Sequence, residues 1–260
     1  MEFKELQRNW DTLAKEDPLW AILTAEDKKG NKWDLAEFLA SGDQEITELM
    51  QYLSGLGVES ARHRALDFGC GVGRLTRPLA TYFTKVIGID IAPSMIARAQ
   101  TLDREHRCEF ILNERADLSL FPDNGFDFLY SNIVLQHMRP VYSTAYIREF
   151  CRVLAPGGVA VFQVPSMSKL SEEPRSWKDF VRPFIPSPAL HWYRHQYRGV
   201  PVPVHPEPSQ SQPARMEMHT VPKSQVLQII EGGGCRLIDA VETTACGPAY
   251  ESWRYCVVKQ

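Results

Sequence analysis

The 260-residue chain has little that would tie it to a membrane, a secretory route or a nucleic acid. No stretch approaches the roughly 18 consecutive apolar residues of a membrane span. The opening Met1-Glu2-Phe3-Lys4-Glu5 lacks the apolar core of a secretion signal. Its six cysteines (Cys70, Cys108, Cys151, Cys235, Cys246 and Cys256) are scattered and form no Cys-x-x-Cys pair. A disulfide framework belongs to small secreted domains, so the expected compartment is the reducing cytoplasm. Charge of one sign is also missing: 29 Lys and Arg against 32 Asp and Glu leave a net charge of −3. That balance exerts no overall pull toward nucleic acid or an anionic membrane, and no basic stripe or nucleic-acid module is present. There is no internal repeat. His191 and His195 stand four apart, as zinc ligands on a helix can, but no acidic motif adjoins them and no third ligand is evident, so no metal is expected. Nothing in the sequence sets an oligomeric state.

What remains is ordinary globular material, 44% hydrophobic and 23% charged, long enough for one α/β domain with additional segments. Residues 1–60 read as a helical cap. A short amphipathic stretch spans Leu6–Lys15, and Asp43–Ser54 places Ile46, Leu49, Met50 and Leu53 on one face before Gly55 and Gly57. Residues 61–165 alternate short apolar runs with amphipathic ones. Runs at 65–68, 86–90, 108–111, 126–130 and 159–162 predict strands, with helices between them at Met95–Arg104 and Ser143–Val153. Such alternation implies right-handed βαβ units and a sheet covered on both faces.

Residues 166–221 break both periodicities. The stretch from Pro165 to Pro222 holds eleven of the chain's eighteen prolines, and it reads as an insertion. Residues 222–260 return to order, with a helix over Pro222–Glu231 and two closing strands at 235–238 and 253–258 turning around Gly247-Pro248. Counting strands gives an α/β fold, a Rossmann-like mixed seven-stranded sheet.

The most informative stretch is Asp67-Phe68-Gly69-Cys70-Gly71-Val72-Gly73, between a strand and a helix. Glycines belong there because the chain turns sharply and a ligand approaches backbone with no Cβ in the way. The spacing is G-x-G-x-G, whereas the dinucleotide fingerprint places its third glycine one residue later. Asp67 suits a ligand carrying an amine and a sulfonium better than one carrying a diphosphate. Asp90, 21 residues after Gly69, stands where a carboxylate accepts from ribose hydroxyls in either nucleotide reading.

With Gly88-Ile89-Asp90-Ile91-Ala92-Pro93-Ser94-Met95, Ala116-Asp117-Leu118, Phe121–Asp127 and Leu154-Ala155-Pro156-Gly157-Gly158, the sequence over residues 64–165 resembles the class I S-adenosylmethionine-dependent methyltransferases. It looks most like their small-molecule branch, which includes the quinone-ring C-methyltransferases. The resemblance implies S-adenosyl-L-methionine as cofactor and a small-molecule methyl acceptor. It implies that Gly69, Gly71 and Gly73 pass beneath the methionine and ribose, and that Asp67 holds the amino group. Asp90 would bind the ribose, Ile91 and Met95 pack on the adenine, and Asp117, between Ala116 and Leu118, accept from the adenine amine. Asn132 would lie near the methionine part. Read without the resemblance, Asp117 and Asn132 also suit caps or turns, and Met95 suits core packing.

Methyl transfer from a sulfonium is an in-line displacement, and a base is needed only when the nucleophile must lose a proton. His137, after the fourth strand, is the candidate base; a histidine bonded to nearby backbone is the competing reading. The aromatic-rich insertion is the candidate lid, with Trp192, Tyr193 and His195 expected at the acceptor, against a proline-stiffened surface loop.

Overall fold

The computed structural model describes residues 1–169 and 214–260. These form one unit, Met1–Ser168 with Ala214–Gln260. It opens with α1 (Phe3–Glu16), α2 (Pro18–Ile22) and α3 (Leu35–Gly55). Then follow β1 (Arg64–Phe68), α4 (Thr76–Leu79), β2 (Lys85–Asp90), α5 (Pro93–Leu102), β3 (Cys108–Leu112) and β4 (Phe126–Ser131). The order continues with α6 (Pro140–Val153), β5 (Leu154–Ser168), α7 (Lys223–Gly232), β6 (Cys235–Thr243) and β7 (Tyr250–Lys259).

The seven strands form one sheet in the order β3-β2-β1-β4-β5-β7-β6. The first five pair in parallel, and β7 is antiparallel to both β5 and β6. The expected α/β fold with a mixed seven-stranded sheet is therefore the observed one. The strands alternate between two cores, as a period of two requires. Leu66, Leu129, Ala160 and Phe162 face Ile147 and Phe150 of α6 and Val226 and Ile230 of α7. Ala65, Phe128, Val159 and Val161 face Ile46, Leu49 and Leu53 of α3 and Leu79 of α4.

Several boundaries differ from the periodicity reading, two of them with a bearing on packing. Helix α3 starts at Leu35, capped by Asp34, whose carboxylate accepts from the Glu37 N–H at 2.9 Å. Ser41-Gly42 resembles a turn, but Gly42 is helical for a packing reason. A Cβ there would sit 2.2 Å from the Arg74 carbonyl oxygen, so glycine lets α3 approach the loop after β1. Strand β5 runs to Ser168, paired with Tyr250 across a bulge at Pro165 and Met167, three residues into the segment expected as insertion.

Candidate active site

The strand order reverses at β1, between β2 and β4, and in an open parallel sheet the crevice at such a point is where ligands bind. There β1 enters the glycine turn. Gly69, Gly71 and Gly73 have φ of 77°, 54° and 83°, the left-handed region that costs glycine least. A Cβ on Gly69 would lie 2.4 Å from Val134, and one on Gly71 would lie 2.5 Å from Ile22. The N–H groups of Gly69 and Cys70 both donate to the Ile89 carbonyl at 2.9 Å. Asp90 closes the turn from the other side: its Oδ2 accepts from the Gly71 N–H at 2.9 Å and its Oδ1 from the Ala92 N–H at 2.8 Å. Burial raises the Asp90 carboxyl above its ordinary range, and these two backbone donors oppose the shift. A carboxylate has about four acceptor positions, so each oxygen retains capacity for a ligand hydroxyl.

The turn opens into a cleft of about 930 Å³, counting its open mouth. Gly69, Gly71, Asp90, Ile91, Met95, Asn132 and His137 lie on its wall. Helix α1 supplies Leu6 and Trp10 to the same wall. It is held there by Asp11, which accepts from the Ser94 N–H at 2.9 Å, and by Gln7, which donates to the Ile91 carbonyl at 3.2 Å.

Five residues expected at the cofactor are placed elsewhere. Asp67 lies beneath the turn, 1% exposed, accepting from the Thr76 hydroxyl at 2.5 Å. Burial pushes its carboxyl up to about 7. Gly73 faces α5 and β3, where a Cβ would meet the Phe110 ring at 2.9 Å, so its bareness serves packing. Asp117 is exposed and turns its carboxylate onto the Ser119 N–H at 3.0 Å, the local capping bond open to any aspartate in a turn. Leu118 is buried in the α6 core, and Ala116 does not reach the cleft wall.

In their place the cleft holds Asn113 at the end of β3, which donates to the Asp117 carbonyl at 3.1 Å and whose N–H donates to the Asp90 carbonyl at 2.9 Å. It also holds Arg74, directly after the last glycine. The Arg74 side chain is 3% exposed, and its Nη2 donates to Glu45 at 2.7 Å. Its buried Nε has no hydrogen-bond partner. Glu45, from α3, also accepts from the Tyr130 hydroxyl and the Asn132 amide, both at 2.8 Å. Arg74 carried a local signal, an arginine opening the helix after the glycines. Glu45 carried none, since it meets its partners 29 to 87 residues along the chain.

His137 is bonded to backbone, one of the two readings made of it. Its Nδ1 lies 3.0 Å from the Glu217 carbonyl, and its ring packs edge-on to Trp10 at 5.0 Å. A carbonyl only accepts, so Nδ1 carries the hydrogen and Nε2 the lone pair; that lone pair receives the Gln136 amide at 3.2 Å. Burial drives the imidazole pKa down to about 4, with the nearby His219 contributing in the same direction. The ring is therefore neutral near pH 7. Trp192, Tyr193 and His195 lie outside the described residues.

Residues 66–162 match the methyltransferase domain family. Over these residues the chain carries a methyltransferase domain. It is similar to the trans-aconitate 2-methyltransferase of Methylobacterium radiotolerans, 34% identical over 135 residues, which is 51% of this chain and 49% of that protein. It is also similar to the malonyl-acyl-carrier-protein O-methyltransferase of Serratia marcescens, 26% identical over 195 residues, 72% of this chain and 71% of that protein. The chain thus spans about half the length of the first of these curated relatives. The methyltransferase fold is shared with magnesium protoporphyrin IX methyltransferase from Synechocystis PCC 6803, solved with bound S-adenosylhomocysteine, at a TM-score of 0.61 and 15% identity over 100% of both chains. Among the described residues no helix is long and apolar enough to cross a membrane.

Proposed function

We propose that the whole chain transfers a methyl group from S-adenosylmethionine to a small-molecule acceptor. The observation that carries this reading is the Asp90-clamped glycine turn opening onto a cleft that also holds an unpartnered, buried Arg74 Nε. The donor set suits such a nucleoside. The free acceptor capacity of Asp90 fits ribose hydroxyls, and Ile91, Met95 and Leu6 offer apolar contact to a purine. The Arg74 Nε–H fits the carboxylate of the methionine part, with Asn113 and Asn132 as neutral polar neighbours. A diphosphate, with more negative charge than a single carboxylate, would meet Asp90 with Arg74, already paired with Glu45, as the cation on the described wall. When bound, S-adenosylmethionine supplies a methyl group on a sulfonium, whose departure leaves a neutral thioether. The chain's part is to orient the partners, exclude water and, through the neutral His137, accept a proton when the acceptor has one to lose. Residues 1–60 are assigned here as a cap, and residues 166–221 as a lid bringing Trp192, Tyr193 and His195 to the acceptor. In support, Met216 and Met218 near the end of that segment line a cavity beside the donor cleft.

Calorimetric titration with S-adenosylmethionine tests the reading. Saturable binding is expected, with Asp90→Ala weakening it by about tenfold or more, roughly 1.4 kcal/mol. Absence of binding at millimolar donor would defeat it, as would equal binding by a nicotinamide dinucleotide.

A further inference from the structure

A second cavity, about 1100 Å³ including its open side, shares a wall with the donor cleft: Ala21, Ile22, Ile133 and His137 face both. Its remaining wall is made largely by Leu23, Trp33, Met216 and Met218, with Gln136 and Cys246 as its main polar groups. Among the described residues that line it, none is charged. Tryptophan and methionine offer flat and pliable polarizable surface, which suits a ring and does nothing to solvate an ion.

The polar groups are oriented by a chain of bonds behind the wall. The Cys246 thiol donates to Gln136 Oε1 at 2.9 Å, and Gln163 Nε2 donates to Cys246 Sγ at 2.9 Å and to Ser252 Oγ at 2.6 Å. Gln163 Oε1 accepts from the N–H of Ile133 at 3.0 Å, a residue held at a φ of 54°, which a β-branched side chain rarely adopts. With its Oε1 turned to the thiol, Gln136 directs Nε2 at His137, whose own Nδ1–H is committed to the Glu217 carbonyl. His137 therefore offers a lone pair. A ligand group that replaces the Gln136 amide there must donate a hydrogen. A hydroxyl can do so; a carboxylate would set an anion against a lone pair in an uncharged pocket.

We infer that this cavity receives the methyl acceptor, and that the acceptor is an uncharged hydroxyl on an apolar ring system rather than a carboxylate. The inference rests on the methyltransferase reading above. In the step, a lone pair of the acceptor oxygen forms the O–C bond while the S–C bond breaks and its electron pair stays on sulfur. The hydroxyl proton passes to His137 Nε2. That proton becomes strongly acidic only as the methyl group bonds to oxygen, so a weakly basic imidazole is sufficient. The buried imidazolium then returns the proton to water.

The test is to saturate the full chain with S-adenosylhomocysteine at neutral pH and titrate it with 2-naphthol and with 2-naphthoate. The naphthol should bind about tenfold more tightly or better. Trp33→Ala, at a residue on the wall of the second cavity and not of the donor cleft, should weaken naphthol by about tenfold and leave S-adenosylhomocysteine affinity within about twofold. His137→Phe should bring the naphthol-to-naphthoate ratio toward unity. Naphthoate binding as well as naphthol, naphthol failing to bind the loaded chain, or indifference to Trp33→Ala overturns the inference while the donor site stands. Failure of S-adenosylhomocysteine itself to bind removes the underlying function first.

Discussion

Asp67 and His137 titrate with opposite consequences for stability. Asp67 is raised from 3.8 to about 7 by burial, so the folded chain holds a proton that the unfolded chain has released. Its contribution is complete below the unfolded value and is lost as pH rises through about 7. His137 is lowered from 6.5 to about 4, so its contribution is complete above 6.5 and is lost as pH falls through about 4. The two windows overlap and partly cancel. Asp67→Asn removes one of them. Relative to wild type the variant should gain stability as pH rises across the Asp67 window, on the order of 4 kcal/mol, because one pKa unit corresponds to about 1.4 kcal/mol. Urea unfolding of both proteins at stepped pH measures the difference, and parallel profiles would show Asp67 to be ionised in the fold.

Among the elements, α3 matters beyond its apolar face. It delivers Glu45 to Arg74, Tyr130 and Asn132, tying the segment before the sheet to the glycine turn and to the loop after β4. Glu45→Ala leaves a buried guanidinium without its counter-charge, and breaking such a pair costs roughly 3–5 kcal/mol. Glu45→Gln keeps an acceptor for Tyr130 and Asn132, and should fall between that variant and wild type in thermal unfolding. Donor affinity should drop in both, because Arg74 and Asn132 lie on the cleft wall. This network also marks where sequence reading stops. The turn of Gly69 and Gly71 and the partner acid Asp90 were legible, since a tight turn beside a ligand restricts residue type locally. The strands were legible because alternation is a two-residue signal. Glu45 and Asn113 were not, because their positions depend on which distant elements pack together. Asp117 misled for the reverse reason, as its carboxylate found a partner two residues away in Ser119 and had no call to reach the cleft.

At the scale of the whole unit, the donor cleft has walls from segments far apart in sequence. Helix α1 lies on one side, the glycine turn beneath, and the stretch from Arg215 to Val221 ties in through Asn9, Gln136 and Pro165. Asn9 donates to the Arg215 carbonyl at 2.8 Å, the His219 N–H to the Gln136 carbonyl at 2.7 Å, and the Val221 N–H to the Pro165 carbonyl at 2.8 Å. A ligand seated among them should slow local opening in each together. Hydrogen exchange with and without S-adenosylhomocysteine should show added protection in α1, in the glycine turn and around Gln136–His137, and little change in β6. Protection confined to the glycine turn would count against α1 as part of the donor site.

The placement of β7 has its own bearing on how the molecule is made. It lies between β5 and β6, two strands that are synthesised before it. Until residues 250–259 leave the ribosome, β5 exposes a hydrogen-bonding margin and β6 has no neighbour at all, so the tail of the sheet must wait with its slot vacant. Stalling or premature termination ahead of Tyr250 yields a chain whose raw margin invites pairing with other chains, a hazard that translation speed through residues 250–259 would govern.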